Sequence, residues 1–323
     1  MIYLYILLVL VIILLLIAYI FSLSMIHPYR QKITKTPADY GMNFEDVEFP
    51  ATDGVKIRGW LVKPKKLTCP QRLSQTQACD GGRDKLIIQT HPMPFNRAGF
   101  NAKNQGPINL FKEDVDLLKT TRALNNVGYW VLTIDLRNCG ESGSGITAVG
   151  LNEWQDVTGA LDYIKSRKDL AHMDIGFASF CMGANATIIA TSKAPDKLKN
   201  VKCAMLVQPI SMLVFLRTFV KNTFTALSLP ILPIMEFFAR LGGSPKFAEE
   251  SPIEYAKSVK FPTLLIQGKF DKWTELADTQ KIFDNLAGEK ELNLIEKPMP
   301  RFEVYNLVGG KPDKMLEFFR KYL

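Results

Sequence analysis

Histidine is the functional side chain this sequence has least of. Only His27, His91 and His172 occur in 323 residues, and no imidazole follows position 172. No set of His, Cys and carboxylates has metal-ligand spacing, so no metal centre is expected, and nothing calls for a cofactor. Cysteine is sparse and odd in number: Cys69, Cys79, Cys139, Cys181 and Cys203. Cys69 and Cys79 flank a polar loop and would pair only in an oxidising compartment. The other three sit in or beside predicted core strands, so no disulfide framework is implied. Internal repeats and long low-complexity runs are absent. The net charge of +8 is not gathered into a basic cluster interleaved with aromatics, which argues against a nucleic-acid partner.

Charge is missing altogether from Met1–Leu23, which is almost wholly apolar. A run of this length can cross a bilayer as one helix. A cleaved signal peptide is the alternative, with Ser22-Leu23-Ser24 as its cleavage site. The length of the run, and the lack of Lys or Arg before it, favour an uncleaved membrane anchor. Arg30, Lys32 and Lys35 follow it, so the positive-inside rule puts the bulk of this single-pass chain on the cytoplasmic side. The expected organisation is an anchor over 1–23, a juxtamembrane linker over 24–44 and one large domain over 45–323.

Within that domain the patterning alternates between strands and helices. Asp46–Phe49 and Val55–Val62 alternate around a turn at Asp53-Gly54, as in a β-hairpin. The polar stretch 64–85 reads as a surface loop. Strands are predicted at 86–90, 129–134, 175–178, 201–208, 263–268 and 292–296. Helical spacing appears over 112–126 (Val115, Leu117, Leu118, Leu124), over Glu153–Arg167, and around Met315–Leu323. The fold class is therefore α/β: a mostly parallel sheet of about eight strands with helices on both faces. Sites in such sheets lie at the carboxyl ends of strands, where His91, Asp135, Cys181 and Asp271 all fall.

The most informative segment is Ile175-Gly-Phe-Ala-Ser-Phe-Cys-Met-Gly-Ala184. It is a strand, a sharp turn and a helix start, with small residues at Ser179 and Gly183 flanking Cys181. This is the pattern of a nucleophile elbow, G-x-S-x-G, with Cys in place of Ser. Three more segments fit the same scheme: Thr90-His-Pro-Met93, Ile134-Asp-Leu-Arg-Asn-Cys-Gly-Glu-Ser142 and Pro262-Thr-Leu-Leu-Ile-Gln-Gly-Lys-Phe-Asp271. In this order and spacing, over roughly residues 45–323, they resemble the α/β-hydrolase superfamily.

The resemblance implies roles. Cys181 would be the nucleophile, at a helix start whose N–H groups favour a thiolate; a buried Cys in a degenerate elbow is the alternative. Backbone N–H groups of Met93 and Met182 would form the oxyanion hole. Asp271 would be the acid, or simply a turn residue capping the next helix. The family's base lies in the loop after the last strand, here Lys297–Asn306, where Arg301 stands. A guanidinium cannot accept a proton from a thiol. Two rescues remain: Arg301 holds Cys181 as a thiolate and pairs with Asp271, or His91 swings towards Cys181. Asp135 reads as a structural loop residue.

An insertion at about 209–252 occupies the place of the family's helical cap. Met212, Leu213, Phe215, Leu216, Phe219, Phe224 and Leu227 would line an acyl or lipid pocket, pack as a lid core, or touch the bilayer. Pro230 and Pro233 argue against a second spanning helix. The expected function is a membrane-anchored protein cleaving an ester or thioester of an apolar acyl or lipid-like ligand through Cys181. The alternatives are a pseudoenzyme that binds or scaffolds, and an acyl carrier on Cys181.

Overall fold

The structure is a computed structural model that describes residues 1–64, 84–106, 111–223, 225 and 228–323. Cys69, Cys79, Phe224 and Leu227, together with nearly all of the loop predicted over 64–85, lie outside the described residues.

Eight strands form one sheet: β1 (Asn43–Pro50), β2 (Lys56–Lys63), β3 (Lys85–Thr90), β6 (Trp130–Asp135), β7 (Asp174–Phe180), β8 (Val201–Val207), β9 (Thr263–Gly268) and β10 (Lys290–Ile295). Two short strands, β4 (Gly99–Phe100) and β5 (Val115–Asp116), form a separate ribbon. The sheet order is β1-β2-β6-β3-β7-β8-β9-β10. β1 and β2 form the expected antiparallel hairpin, β2 runs antiparallel to β6, and every later pairing is parallel.

The central strands β3 and β7 pair from Lys85 opposite Asp174 to Thr90 opposite Ser179. Leu86, Ile87, Ile88, Phe177 and Ala178 on these strands are fully buried. A continuous apolar run is what a strand covered by helices on both sides requires. Burying one such side chain contributes roughly 1.5–3 kcal/mol, so this centre is the rigid platform of the site.

Two expectations are corrected. Helical spacing over 112–126 placed a helix start too early, and the helix spans Leu118–Asn126. Val115 instead pairs with Phe100 in the ribbon. The segment 297–306 is not a loop throughout, because Arg301–Gly310 is a helix that follows directly on Pro300.

The N-terminal helix spans Ile2–Ile26 and is long and apolar enough to cross a bilayer. Its last turns are docked on the domain. Ala18, Ser22 and Ile26 are buried, and the Ser22 hydroxyl shares its proton between the Ala18 carbonyl of its own helix at 2.6 Å and the Met235 carbonyl at 2.8 Å. The Ile26 carbonyl accepts from Asn138 Nδ2 at 3.1 Å and from the Thr147 N–H at 3.0 Å. Met235 belongs to the helix Ile231–Leu241, which with Met212–Thr223 covers the carboxyl ends of the strands.

Candidate active site

Strand β7 ends at Phe180 and the helix Met182–Lys193 starts two residues later, so Cys181 makes the whole turn. It does so at φ +48°, ψ −110°, a conformation that non-glycine residues rarely adopt. Its N–H donates to the Val207 carbonyl at 2.8 Å, and its carbonyl accepts from the Asn185 N–H at 2.9 Å. The turn needs small flanks. Ser179 is fully buried, with its Oγ 2.7 Å from Thr187 Oγ1. A Cβ on Gly183 would stand 2.2 Å from Thr90 Oγ1.

Arg301, the first residue of its helix, reaches back to this turn. Its Nη2 lies 3.6 Å from Cys181 Sγ and donates to the Gln208 carbonyl at 2.6 Å. Its Nη1 pairs with Asp271 Oδ2, and both side chains of that pair are 2% exposed. Burial opposes the charge of Arg301, but Tyr305, Asp271 and Cys181 outweigh it and raise the pKa above its ordinary value. The guanidinium is therefore permanently charged.

Asp271 has three further donors: the Trp273 N–H at 2.9 Å, Gln208 Nε2 at 3.2 Å and Gln267 Nε2 at 3.4 Å. It is a turn residue and a carboxylate partner of Arg301, but it does not cap the next helix, Leu276–Asn285, whose cap position is Glu275. Cys181, Arg301 and Asp271 form one connected array.

His91 is elsewhere engaged. Its Nε2 accepts the Leu136 N–H at 3.0 Å and its Nδ1 faces the Pro92 carbonyl at 2.7 Å. Burial lowers its pKa and keeps it neutral. With both nitrogens committed, His91 ties β3 to the loop after β6 and does not turn towards the thiol. Asp135 accepts the Arg97 N–H at 2.7 Å and the Glu141 N–H at 2.9 Å, and it pairs with the Arg97 side chain. In the same loop Asn138 adopts φ +61°, which Asn tolerates better than most side chains.

Cys181 opens onto a cavity of about 430 Å³. Its walls include Met93, Phe215, Phe219, Trp273, Phe302 and Tyr305, so they are almost wholly apolar. The N–H groups of Met93 and Met182 meet no acceptor among the described residues, and Met93 stands in the cavity wall. Tyr305 is fully buried beside Arg301 and Cys181, and burial drives its pKa well above normal.

Sequence reasoning did not anticipate Tyr305 or Gln208. Tyr305 stands four residues after Arg301, on the same helix face; a helix start recognised at Pro300 would have revealed it. Gln208 takes part through its carbonyl, which accepts from Arg301, and through its side-chain amide, which donates to Asp271; a lone Gln just after a strand carries no motif.

No protein-family model matches the chain. The uncharacterized protein YqkD of Bacillus subtilis (strain 168) is 26% identical over 182 residues, 55% of this chain. The chain spans 58% of that curated relative's length. The solved esterase Pf2001 of Pyrococcus furiosus superposes with a TM-score of 0.65 at 21% identity, covering 92% of this chain and 98% of that one. The α/β hydrolase GrgF of Penicillium sp. sh18 superposes with a TM-score of 0.56 at 17% identity, covering 87% and 99%. With the sheet order and the elbow at the end of β7, these likenesses establish that the chain has the α/β-hydrolase fold.

Proposed function

We propose that the protein is a membrane-anchored acyl-transfer site of the hydrolase type, in which Cys181 takes an apolar acyl group from an ester or thioester. The observation that carries this reading is the apolar cavity lined by Cys181, with the Arg301 guanidinium 3.6 Å from the Cys181 sulfur. A guanidinium at that distance favours negative charge on sulfur without accepting a proton. The thiolate adds to the carbonyl carbon. The Met93 and Met182 N–H groups receive the oxyanion. The leaving thiolate or alkoxide then departs with the electron pair of its bond.

A thioester suits this site best, because a thiolate leaves without a general acid. Water must next attack the acyl-Cys, and that step lacks a base. Acylation therefore outruns hydrolysis and the acyl-enzyme accumulates. Incubation with a palmitoyl thioester should add one acyl group per chain, released by hydroxylamine, with slow release of free acid. Cys181→Ala should abolish the adduct. An unmodified wild-type chain, or turnover unchanged in Cys181→Ala, overturns the reading.

A second reading, a binding protein without turnover, draws on the Arg301–Asp271 pair. That pair sets a permanent cation, which cannot accept a proton, beside the thiol. It predicts saturable acyl-chain binding with no adduct at Cys181.

A further inference from the structure

We infer that the N-terminal helix is a wall of the cavity as well as an anchor, and that the cavity loads sideways from the bilayer with a membrane-dissolved lipid acyl chain. Leu14, Ile17, Phe21 and Met25 of this helix line the same cavity as Cys181. Leu14 and Ile17 are also exposed, so the opening lies beside the helix rather than behind the domain.

Length places that opening at the membrane. The helix stands clear of the domain over residues 2–13; Leu14 is its first residue to line the cavity and Ala18 its first buried residue. Twelve residues rise about 18 Å, whereas the hydrocarbon core is about 30 Å thick. The undocked part is about 12 Å too short to span it. A spanning helix must therefore draw its docked turns, and the cap helix held to them, into the leaflet.

The surface of that cap helix agrees. Phe237 is 59% exposed and Leu241 71% exposed, and Phe238 packs edge-on against Tyr19 of the N-terminal helix at 5.4 Å. The two helices are locked by the Ser22–Met235 hydrogen bond, and Ile26 fits where Gly242 lacks a side chain. The apolar rim is continuous with the spanning helix, and a hydrocarbon phase is what such a rim matches. The chemistry at Cys181 rests on the acyl-transfer reading; the loading route rests on the membrane-anchor part of the proposed function and on the geometry.

The test uses the full chain in phosphatidylcholine vesicles containing a phosphatidylcholine with a diazirine at the end of one acyl chain. After irradiation, peptide mass spectrometry should find lipid adducts on Phe215 and Phe219 as well as on residues 2–13. Phe237→Asp with Leu241→Asp, outside the cavity, should cut the cavity adducts about tenfold. Acylation of Cys181 by a water-soluble acetyl thioester should stay unchanged in that variant. Adducts confined to residues 2–13, or cavity adducts undiminished in the variant, overturn lateral loading. Cavity adducts without acylation by any thioester leave lateral loading standing and overturn the acyl-transfer reading instead.

Discussion

Arg301→Met removes a charge and keeps most of the side-chain volume, which makes it the sharpest perturbation of the site. It strands Asp271, a carboxylate 2% exposed, with only the Trp273 N–H and the amides of Gln208 and Gln267 to hold it. Breaking a buried pair costs about 3–5 kcal/mol. The three surviving donors put this case near the lower end, about 3 kcal/mol. The Gln208 carbonyl also loses its donor at 2.6 Å, about 1 kcal/mol more. Adding Asp271→Asn removes the stranded charge, so the double variant should lose only about 1–2 kcal/mol. The second substitution thus restores stability lost to the first. Urea unfolding of the full chain in detergent micelles, followed by tryptophan fluorescence, measures both. A double variant that loses as much as Arg301→Met, or the sum of the two single losses, would refute the coupled pair.

Other expectations follow from the same structure. Gly183→Ala drives a Cβ to 2.2 Å from Thr90 Oγ1 and 2.6 Å from Thr90 Cβ, and should cost about 1–3 kcal/mol of thermal stability; an unchanged Tm would mean the elbow is looser than described. Glu250 is buried beside Ser244, whose hydroxyl donates to it at 3.0 Å, and burial raises its pKa to about 8. The folded state then binds the extra proton, so stability contributed by this group is present below pH about 4.5 and falls as pH rises towards about 8. Glu250→Gln should therefore gain stability over wild type as pH climbs through that window, by about 2–4 kcal/mol at most; a gain that does not vary with pH would contradict the assignment. In the Arg301→Met, Asp271→Asn background, alkylation of Cys181 should slow about tenfold, and an unchanged rate would remove Arg301 from the activation of the thiol.

The elbow was legible because its geometry constrains residue size: only small side chains fit at 179 and 183, and the strand before it is apolar throughout. β9 was legible to the residue for a similar reason, being a short apolar run closed by Gly268. Val115 and Leu117 misled because a short apolar pattern suits a helix or a ribbon equally, and only pairing with Phe100 decides. Arg301 was located but its helix was not, since Pro298 and Pro300 read as a loop while Pro300 in fact precedes a helix start. The wall that the N-terminal helix gives the cavity was not legible at all. It depends on Ser22 meeting Met235, a contact between distant parts of the chain that leaves no local pattern.

The central claim is that the Cys181 sulfur faces a hollow that an acyl chain can fill. The molecule supplies its own controls: Cys139 and Cys203 are free thiols shut in the core, with pKa values raised by burial, that of Cys203 to about 12. The direct measurement is peptide-resolved alkylation of the native chain by a long-chain alkyl iodoacetamide, with and without excess palmitate. Cys181 should react well ahead of Cys139 and Cys203, and palmitate should protect it. Cys181 reacting as slowly as those two, or reacting undiminished in the presence of palmitate, would contradict it.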